Sequence, residues 1–260
     1  MSKLAVGVDI GGTGIKAALV DVSTGKLASE RVKIATPAGG EPSDIVAATK
    51  AIVNQLTEDH EIPVGIAFPS AIRHGVTLLA ANISSAWVGL EAEKLFEREL
   101  GRSITFVNDA DAAGLAEVRF GAAKGQKGLV IMTTLGTGIG GAFIYDGTLI
   151  PNAELGHLEI DGHDAEKRAS NAVRERKNLS WSRWAKRLQR YYSHVEMLFS
   201  PELFIVGGGV SKYAPEFLPL LELKTPIVPA ALLNNAGLMG AAVLAAEANG
   251  SADTPGSVEA

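Results

Sequence analysis

Two glycine-rich turns, DIGGTGIK at Asp9 to Lys16 and TLGTGIGG at Thr134 to Gly141, each lie between two apolar runs. A strand, a turn of glycine and threonine, and a second strand make a tight hairpin whose backbone N–H groups can face an anion with no side chain in the way. Gly11, Gly12 and Thr13 in the first turn, and Thr134, Gly136, Thr137 and Gly138 in the second, are therefore candidates for holding phosphate from two sides. The flanks also match, each hairpin leading into a short turn at Ser23 to Gly25 or at Asp146-Gly147. This points to a duplicated β-hairpin architecture and away from a Walker loop. Gly136, Gly138 and Gly141 formally satisfy G-x-G-x-x-G, but a dinucleotide site requires a helix to follow, and AFIYDGTLI reads as a strand.

Asp9 precedes the first glycines, where a carboxylate suits Mg²⁺ held through water, and an aspartate in a plain turn is the alternative. Lys16 follows on the next strand, with its direction left open by strand alternation. A third strand is expected at Lys26 to Ile34, then a helix capped by Ser43 with Ile45, Ile52, Val53 and Leu56 on its apolar face. Strands at Val64 to Phe68 and near Val76 to Ala80 precede a helix from about Leu90 to Leu100 that Gly101 ends. Strands alternating with helices define an α/β class. The strand Ser103 to Val107 runs into Asn108-Asp109-Ala110-Asp111 and a helix of small residues; a polar pair at the carboxyl end of a strand is where open α/β sheets place their sites. A carboxylate there can accept the proton of an attacking hydroxyl in phosphoryl transfer. Asp111 competes with Asp109 for that role, or serves the helix dipole.

Within the 260 residues, no run approaches the roughly 20 apolar residues of a membrane helix. A leader pattern is also missing at Met1 to Leu4, so a cytoplasmic protein without membrane contact is expected. The absence of cysteine excludes disulfides, thiolate-bound metal and a cysteine nucleophile. Net charge is −5, but Lys167 to Arg190 alone carries +8 and the remainder −13. In that stretch Ser180 is a candidate cap for a helix with Trp181, Trp184, Leu188 and Tyr191 on one side and Arg183, Lys186, Arg187 and Arg190 on the other. The basic side is either a solvated face or a bed for a polyanion; the acidic pI and lack of nucleic-acid motifs argue against DNA or RNA. Glu154, His157, Glu159, Asp161, His163, Asp164 and Glu166 form either a solvated acidic loop, a metal site of no standard zinc spacing, or a set of groups for sugar hydroxyls.

Together, DIGGTGIK, FVNDADAAGLAE, TLGTGIGGAFI, ELGH at Glu154 to His157 and IVGGGVS at Ile205 to Ser211 resemble, in order and along nearly the whole chain, the ROK sugar kinases of the actin, hexokinase and Hsp70 superfamily. The resemblance implies an α/β fold of two ribonuclease H-like domains with a cleft between them. Residues 1–107 with a C-terminal helix at about 236–248 would form the smaller domain, 108–235 the larger, and 249–260 a disordered tail. Asp109 would be the base for a sugar 6-hydroxyl, with Asn108 a hydroxyl ligand beside it. Glu154, His157 and Glu166 would bind other hydroxyls, Asn82 and Ser84 would lie on a further sugar-side loop, and Gly207, Gly208 and Gly209 would form the adenosine-side turn.

Most of the family carry a cysteine-rich zinc motif after E-x-G-H, where this chain has LEIDGHDA, so no zinc is expected. The segments NLSWSRWAKRLQRYYSHVEMLFSPELFIVGGGVSK and PIVPAALLNNAGLMGAA resemble the polyphosphate glucokinase subgroup. That implies glucose, and mannose as a further acceptor, with polyphosphate or ATP as donor, Mg²⁺, a homodimer, and a polyphosphate track on Arg183, Lys186, Arg187 and Arg190. An ATP-only hexose or N-acetylhexosamine kinase is the nearest alternative. A repressor of the same family would carry a DNA-binding segment before Asp9, where eight residues stand. An actin-like assembly protein would have no need of Asn108-Asp109 beside E-x-G-H.

Overall fold

A computed structural model describes residues 3–80 and 83–252. The chain divides into two compact units, Met1–Ala112 with Gly237–Ala260, and Ala113–Ala236.

In the first unit, β1 (Leu4–Gly11) and β2 (Gly14–Asp21) form an antiparallel hairpin in which Gly11 faces Gly14 and Asp9 faces Lys16. The single strand expected at Lys26 to Ile34 is instead two, β3 (Lys26–Leu27) and β4 (Val32–Ile34), both on β2. Between them Ser29 Oγ takes the Leu19 N–H at 3.0 Å and interrupts the ladder. Helix α1 (Pro42–Leu56) starts one residue before the expected Ser43 cap: Pro42 occupies its first turn, where a missing N–H costs nothing, and Glu41 stands at the cap position without a side-chain bond. Ile45, Val46, Ile52 and Val53 form its buried face.

β5 (Val64–Phe68) lies parallel to β1. The strand expected near Val76 to Ala80 shrinks to a two-residue hairpin, β6 (Ile72–Arg73) with β7 (Val76–Thr77), because the Leu78 N–H turns to Ala71 O and the Leu79 N–H to Ser70 Oγ. α2 (Ala92–Leu100) ends at left-handed Gly101, as its sequence requires. β8 (Ile104–Asn108) completes the sheet β3-β2-β1-β5-β8 and leads into α3 (Asp109–Phe120). Phe68, Trp87, Phe96 and Phe106 pack in the core over this sheet, with ring centroids 4.5–6.0 Å apart.

The second unit repeats the plan. β9 (Leu129–Leu135), β10 (Ile139–Tyr145) and β11 (Thr148–Ile150) form the antiparallel part of its sheet. A small hairpin, β12 (Glu159–Ile160) with β13 (His163–Asp164), leads to α4 (Glu166–Ala169), α5 (Asn171–Arg176) and α6 (Trp181–Phe199). Ser180 caps α6 by accepting the Arg183 N–H at 3.3 Å, and Trp184, Leu188, Tyr191, Tyr192 and Val195 are buried. β14 (Leu203–Gly207), α7 (Ala214–Phe217) and β15 (Ile227–Pro229) follow, giving the order β11-β10-β9-β14-β15. Hairpin, edge strand and two parallel strands recur in the same arrangement, so the duplication read in the turns extends to the whole sheet.

The last helix, α8 (Ala236–Ala252), returns to the first unit. It lies so close to the sheet that a Cβ on Gly7 would collide with Leu238 O, and one on Gly65 with Ala241 O. Such contact explains glycines inside two central strands and a helix apolar on nearly every side. α8 continues past Asn249, where the tail was expected to begin; 253–260 lie outside the described residues. The unit boundary falls after Ala112, not before Asn108, because Ala112 packs with Ala67, Val107 and Ala241 in one apolar cluster. Asn108 and Asp109 therefore belong to the first unit.

Candidate active site

Directly opposed residues of an antiparallel pair share a face, and the β1–β2 register settles the direction of Lys16. Its Nζ lies 2.9 Å from Asp9 Oδ2, with both side chains largely buried. Asp9 also lies at the first turn of α8, where a Cβ on Gly237 would stand 3.1 Å from Asp9 Cγ. A helix N-terminus favours a carboxylate. Lys33, not singled out from the sequence, faces Lys16 across β2 and β4 and extends its stem over Gly14. The signal for it lies in strand register, which the sequence does not display. At the turn itself Gly12 and Thr13 are exposed, and Thr36 Oγ1 donates to Gly11 O at 2.5 Å.

Asn108 is 8% exposed, and its side chain is committed to local structure. Oδ1 accepts the N–H groups of Ala110 (2.9 Å) and Asp111 (3.0 Å), capping α3, while Nδ2 donates to Ser70 O at 3.0 Å. The cap fixes Asp109 at the first position of the helix, half-buried, with Oδ1 accepting the Ala110 N–H at 2.8 Å. Asp111 is fully buried. Ser84 caps a short 3₁₀ turn, Ser85–Trp87, by accepting the Ala86 N–H at 3.2 Å, so its hydroxyl has a structural task beside the expected one. Asn82 lies outside the described residues.

In the second unit Gly136 N–H donates to Gly138 O at 3.0 Å within the turn, and Thr137 is exposed at its tip. Gly207 pairs with Thr134 across β14 and β9, so the Gly207-Gly208-Gly209 segment and the second glycine turn are neighbours at strand ends. Glu154, a 3₁₀ turn at Leu155–His157, and Glu166 gather on the same turn. Glu166 Oε2 accepts the Ile139 N–H at 3.1 Å.

His157 Nδ1 lies 3.1 Å from Asp164 Oδ2, and Lys167 Nζ 3.7 Å from the same oxygen. The Asp164 hydrogen bond raises the His157 pKa above its ordinary value; burial opposes the rise, and the charges of Glu166, Asp164 and Glu154 reinforce it. Burial raises the Glu154 pKa, against the nearby His157 and with the nearby Glu166. His157, Asp164 and Glu166 offer ligand atoms within 4.8 Å of one another; Asp164 Oδ2 is engaged by His157 and Glu166 Oε2 by the Ile139 N–H, while Asp164 Oδ1 is buried without a hydrogen-bond partner. The acid–histidine cluster is a set of hydrogen-bonding groups beside the second glycine turn, with one Asp164 oxygen left over for a further donor.

The basic face of α6 divides on inspection of its partners. Arg183 and Lys186 are exposed. Arg187 Nη1 donates to Arg168 O at 2.9 Å, and Arg190 makes a two-point ion pair with Asp161. Arg174, outside the expected track, stacks 4.1 Å over the Trp181 ring.

Two α/β units with the same strand order, each beginning in a glycine-turn hairpin, define the actin/hexokinase-like two-domain fold. The model of the ROK family matches residues 5–173, and the chain belongs to that family. A polyphosphate glucokinase of Mycobacterium tuberculosis is 46% identical over 238 residues, 91% of this chain and 89% of that protein. The crystal structure of inorganic polyphosphate/ATP-glucomannokinase from Arthrobacter sp. strain KM is similar at TM-score 0.89 and 54% identity, covering 94% of this chain and 99% of that one. A ROK family glucokinase from Streptomyces griseus, solved with glucose and AMPPNP, aligns at TM-score 0.80 and 28% identity over 94% and 99%.

Proposed function

We propose that this protein phosphorylates glucose at the 6-hydroxyl, with inorganic polyphosphate or ATP as phosphoryl donor. The observation that carries the proposal is the attachment of Glu166 to the second glycine turn through Ile139, which joins a hydroxyl-binding acid to a phosphate-binding backbone. The similarity to kinases named for polyphosphate and glucose supports the choice of substrates.

Asp109 takes the proton of the 6-hydroxyl as its oxygen attacks the terminal phosphorus; the bridging P–O bond breaks, and ADP or a polyphosphate shorter by one unit leaves. The sugar's remaining hydroxyls bind Glu154, His157 and Glu166, and Asn82, Ser84 and Asn108 are proposed as further hydroxyl ligands. Gly11 to Thr13 and Thr134 to Gly138 hold donor phosphates through backbone N–H groups other than that of Gly136, which is taken by Gly138 O, and Gly207 to Gly209 receive the nucleoside of ATP. Lys16, on the strand that follows the first turn, is a cation already steered by Asp9. One Asp9 oxygen takes that ammonium, leaving the carboxylate able to hold Mg²⁺ through water, and the ion would neutralise charge on the donor.

Mannose is proposed as a second acceptor and the cytoplasm as the location; among the described residues no helix is long and apolar enough to cross a membrane. A homodimer is proposed from exposed apolar groups Tyr145, Ile150, Met197 and Leu198, with Phe199 packed edge-on against Phe143. A matrix of donors (ATP, polyphosphate) against acceptors (glucose, mannose, N-acetylmannosamine), read as sugar 6-phosphate, tests the assignment. Product with ATP alone would reduce it to an ATP-only kinase, and product with N-acetylmannosamine alone would replace the acceptor.

A further inference from the structure

The β12–β13 hairpin turns on Asp161 and Gly162, both left-handed at φ +55° and +71°. This is the backbone of a two-residue primed turn, for which Asp-Gly and Asn-Gly are the preferred pairs. The tip meets the basic face of α6: Arg190 Nε donates to Asp161 Oδ2 at 3.1 Å and Nη2 to Oδ1 at 2.7 Å. At the other end of the hairpin, Asp164 holds His157.

Carboxylate and phosphate present the same paired acceptors to a guanidinium, so the Asp161 carboxylate stands where a phosphate oxygen pair would bind. Both partners are 52% exposed. An ion pair this wet is weak and exchanges readily, whereas a polyphosphate chain brings repeated charge along its whole length. Arg187 and Arg168 lie beside the pair, Arg187 through the Arg168 carbonyl and Arg168 through His163, so the competing anion is set within a cationic field.

We infer that Asp161 is a donor-selecting residue: its carboxylate occupies Arg190 in place of a phosphate, and a polyphosphate chain must displace it before using the α6 track. This inference rests on the proposed α6 track. ATP, held by the glycine segments in that proposal, does not need the displacement. Asp161 thus penalises polyphosphate specifically, and most of all chains too short to repay the exchange along the rest of the helix.

The experiment compares full-length wild type, Asp161→Asn, Arg190→Gln and the double variant, with long-chain polyphosphate and with ATP, at saturating glucose and two salt concentrations. Asn-Gly keeps the turn while removing the charge. Asp161→Asn is expected to lower the polyphosphate KM roughly two- to fivefold, the span of an exposed ion pair. It should also steepen the dependence of log KM on log salt by about one charge, leave the ATP KM in place, and have no effect on top of Arg190→Gln. A rise in polyphosphate KM would mean that Asp161 orients Arg190 for the donor, which overturns the inference. Equal shifts for both donors would overturn it too. No change with Asp161→Asn, alongside a raised polyphosphate KM with Arg190→Gln, would remove the competition and leave the track. If Arg190→Gln and joint neutralisation of Arg183, Lys186 and Arg187 both leave the polyphosphate KM unmoved, the track itself is gone, and the inference with it.

Discussion

Glu166 Oε2 accepts a hydrogen bond from the Ile139 N–H at 3.1 Å, and the carboxylate fills the space where residue 138 would carry a side chain if it were not glycine. The acid proposed for the sugar is thus held by the turn proposed for the donor phosphate. Sequence separates them by 27 positions; one hydrogen bond makes them a single device.

Replacing Gly138 by alanine puts a methyl into the Glu166 carboxylate. The carboxylate must move, and the prediction is that its bond to Ile139 is lost; bonds to charged groups contribute about 1.5–3 kcal/mol. Gly138→Ala is therefore expected to raise the glucose KM roughly 10- to 100-fold and to raise the donor KM as well. Glu166→Gln, which keeps an acceptor for Ile139, should affect glucose and largely spare the donor. Steady-state KM values for both substrates check this, and an unchanged glucose KM in Gly138→Ala would remove Glu166 from the sugar site.

Asp109 stands first in α3, its Oδ1 accepting the Ala110 N–H. Asparagine in its place retains an oxygen for that bond but cannot take a proton. Turnover of Asp109→Asn should drop by about 10²–10⁴, the usual worth of a general base, while calorimetry still reports glucose binding. Appreciable turnover would exclude Asp109 as the base.

Asn108 carries the cap on which that placement depends. Asn108→Ala gives up the cap, about 1 kcal/mol, and leaves the Ser70 carbonyl short of a donor at about 1–3 kcal/mol more. Asn108→Ser keeps a capping oxygen and loses the Ser70 bond, so urea midpoints should rank wild type above serine above alanine. Equal stability of the two variants would sink the capping role.

The two hairpins and the duplicated order are legible in the sequence because apolar runs on both sides of a glycine turn leave few alternatives. Ser180 and Gly101 announce helix ends by chemistry that acts within four residues. Ser43 loses the cap position to Glu41, because Pro42 with its fixed φ starts the helix two residues earlier than a Ser43 cap would. The expected strand at Lys26 to Ile34 breaks at Ser29, through a bond to Leu19 ten residues away. Site pairs are hidden for the same reason: Arg190 with Asp161 and Glu166 with Ile139 depend on tertiary register. Composition shows +8 on one segment, but not that Asp161 cancels one of those charges.

The Asp164 bond raises the His157 pKa above 6.5 in the fold. A raised histidine pKa means that the stability contributed by protonated His157 is complete below about 6.5 and is lost as pH climbs through the folded value. The advantage in Tm of wild type over His157→Gln should accordingly shrink as pH rises above about 6.5 and through the raised folded value. Glu154 is raised too, chiefly by burial. Its stabilising contribution is likewise present below the unfolded value of 4.5 and lost above the folded one, so at neutral pH the ionised carboxylate is held against the preference of the fold. If sugar binding needs that carboxylate ionised, kcat/KM for glucose should fail on the acid side at higher pH than an ordinary glutamate allows, and Glu154→Gln should abolish that limb at reduced activity. Calorimetric Tm and pH–rate profiles separate the two groups. A pH-independent Tm difference for His157→Gln would remove the His157–Asp164 pair from the account, and an acid limb unchanged by Glu154→Gln would assign it to another group.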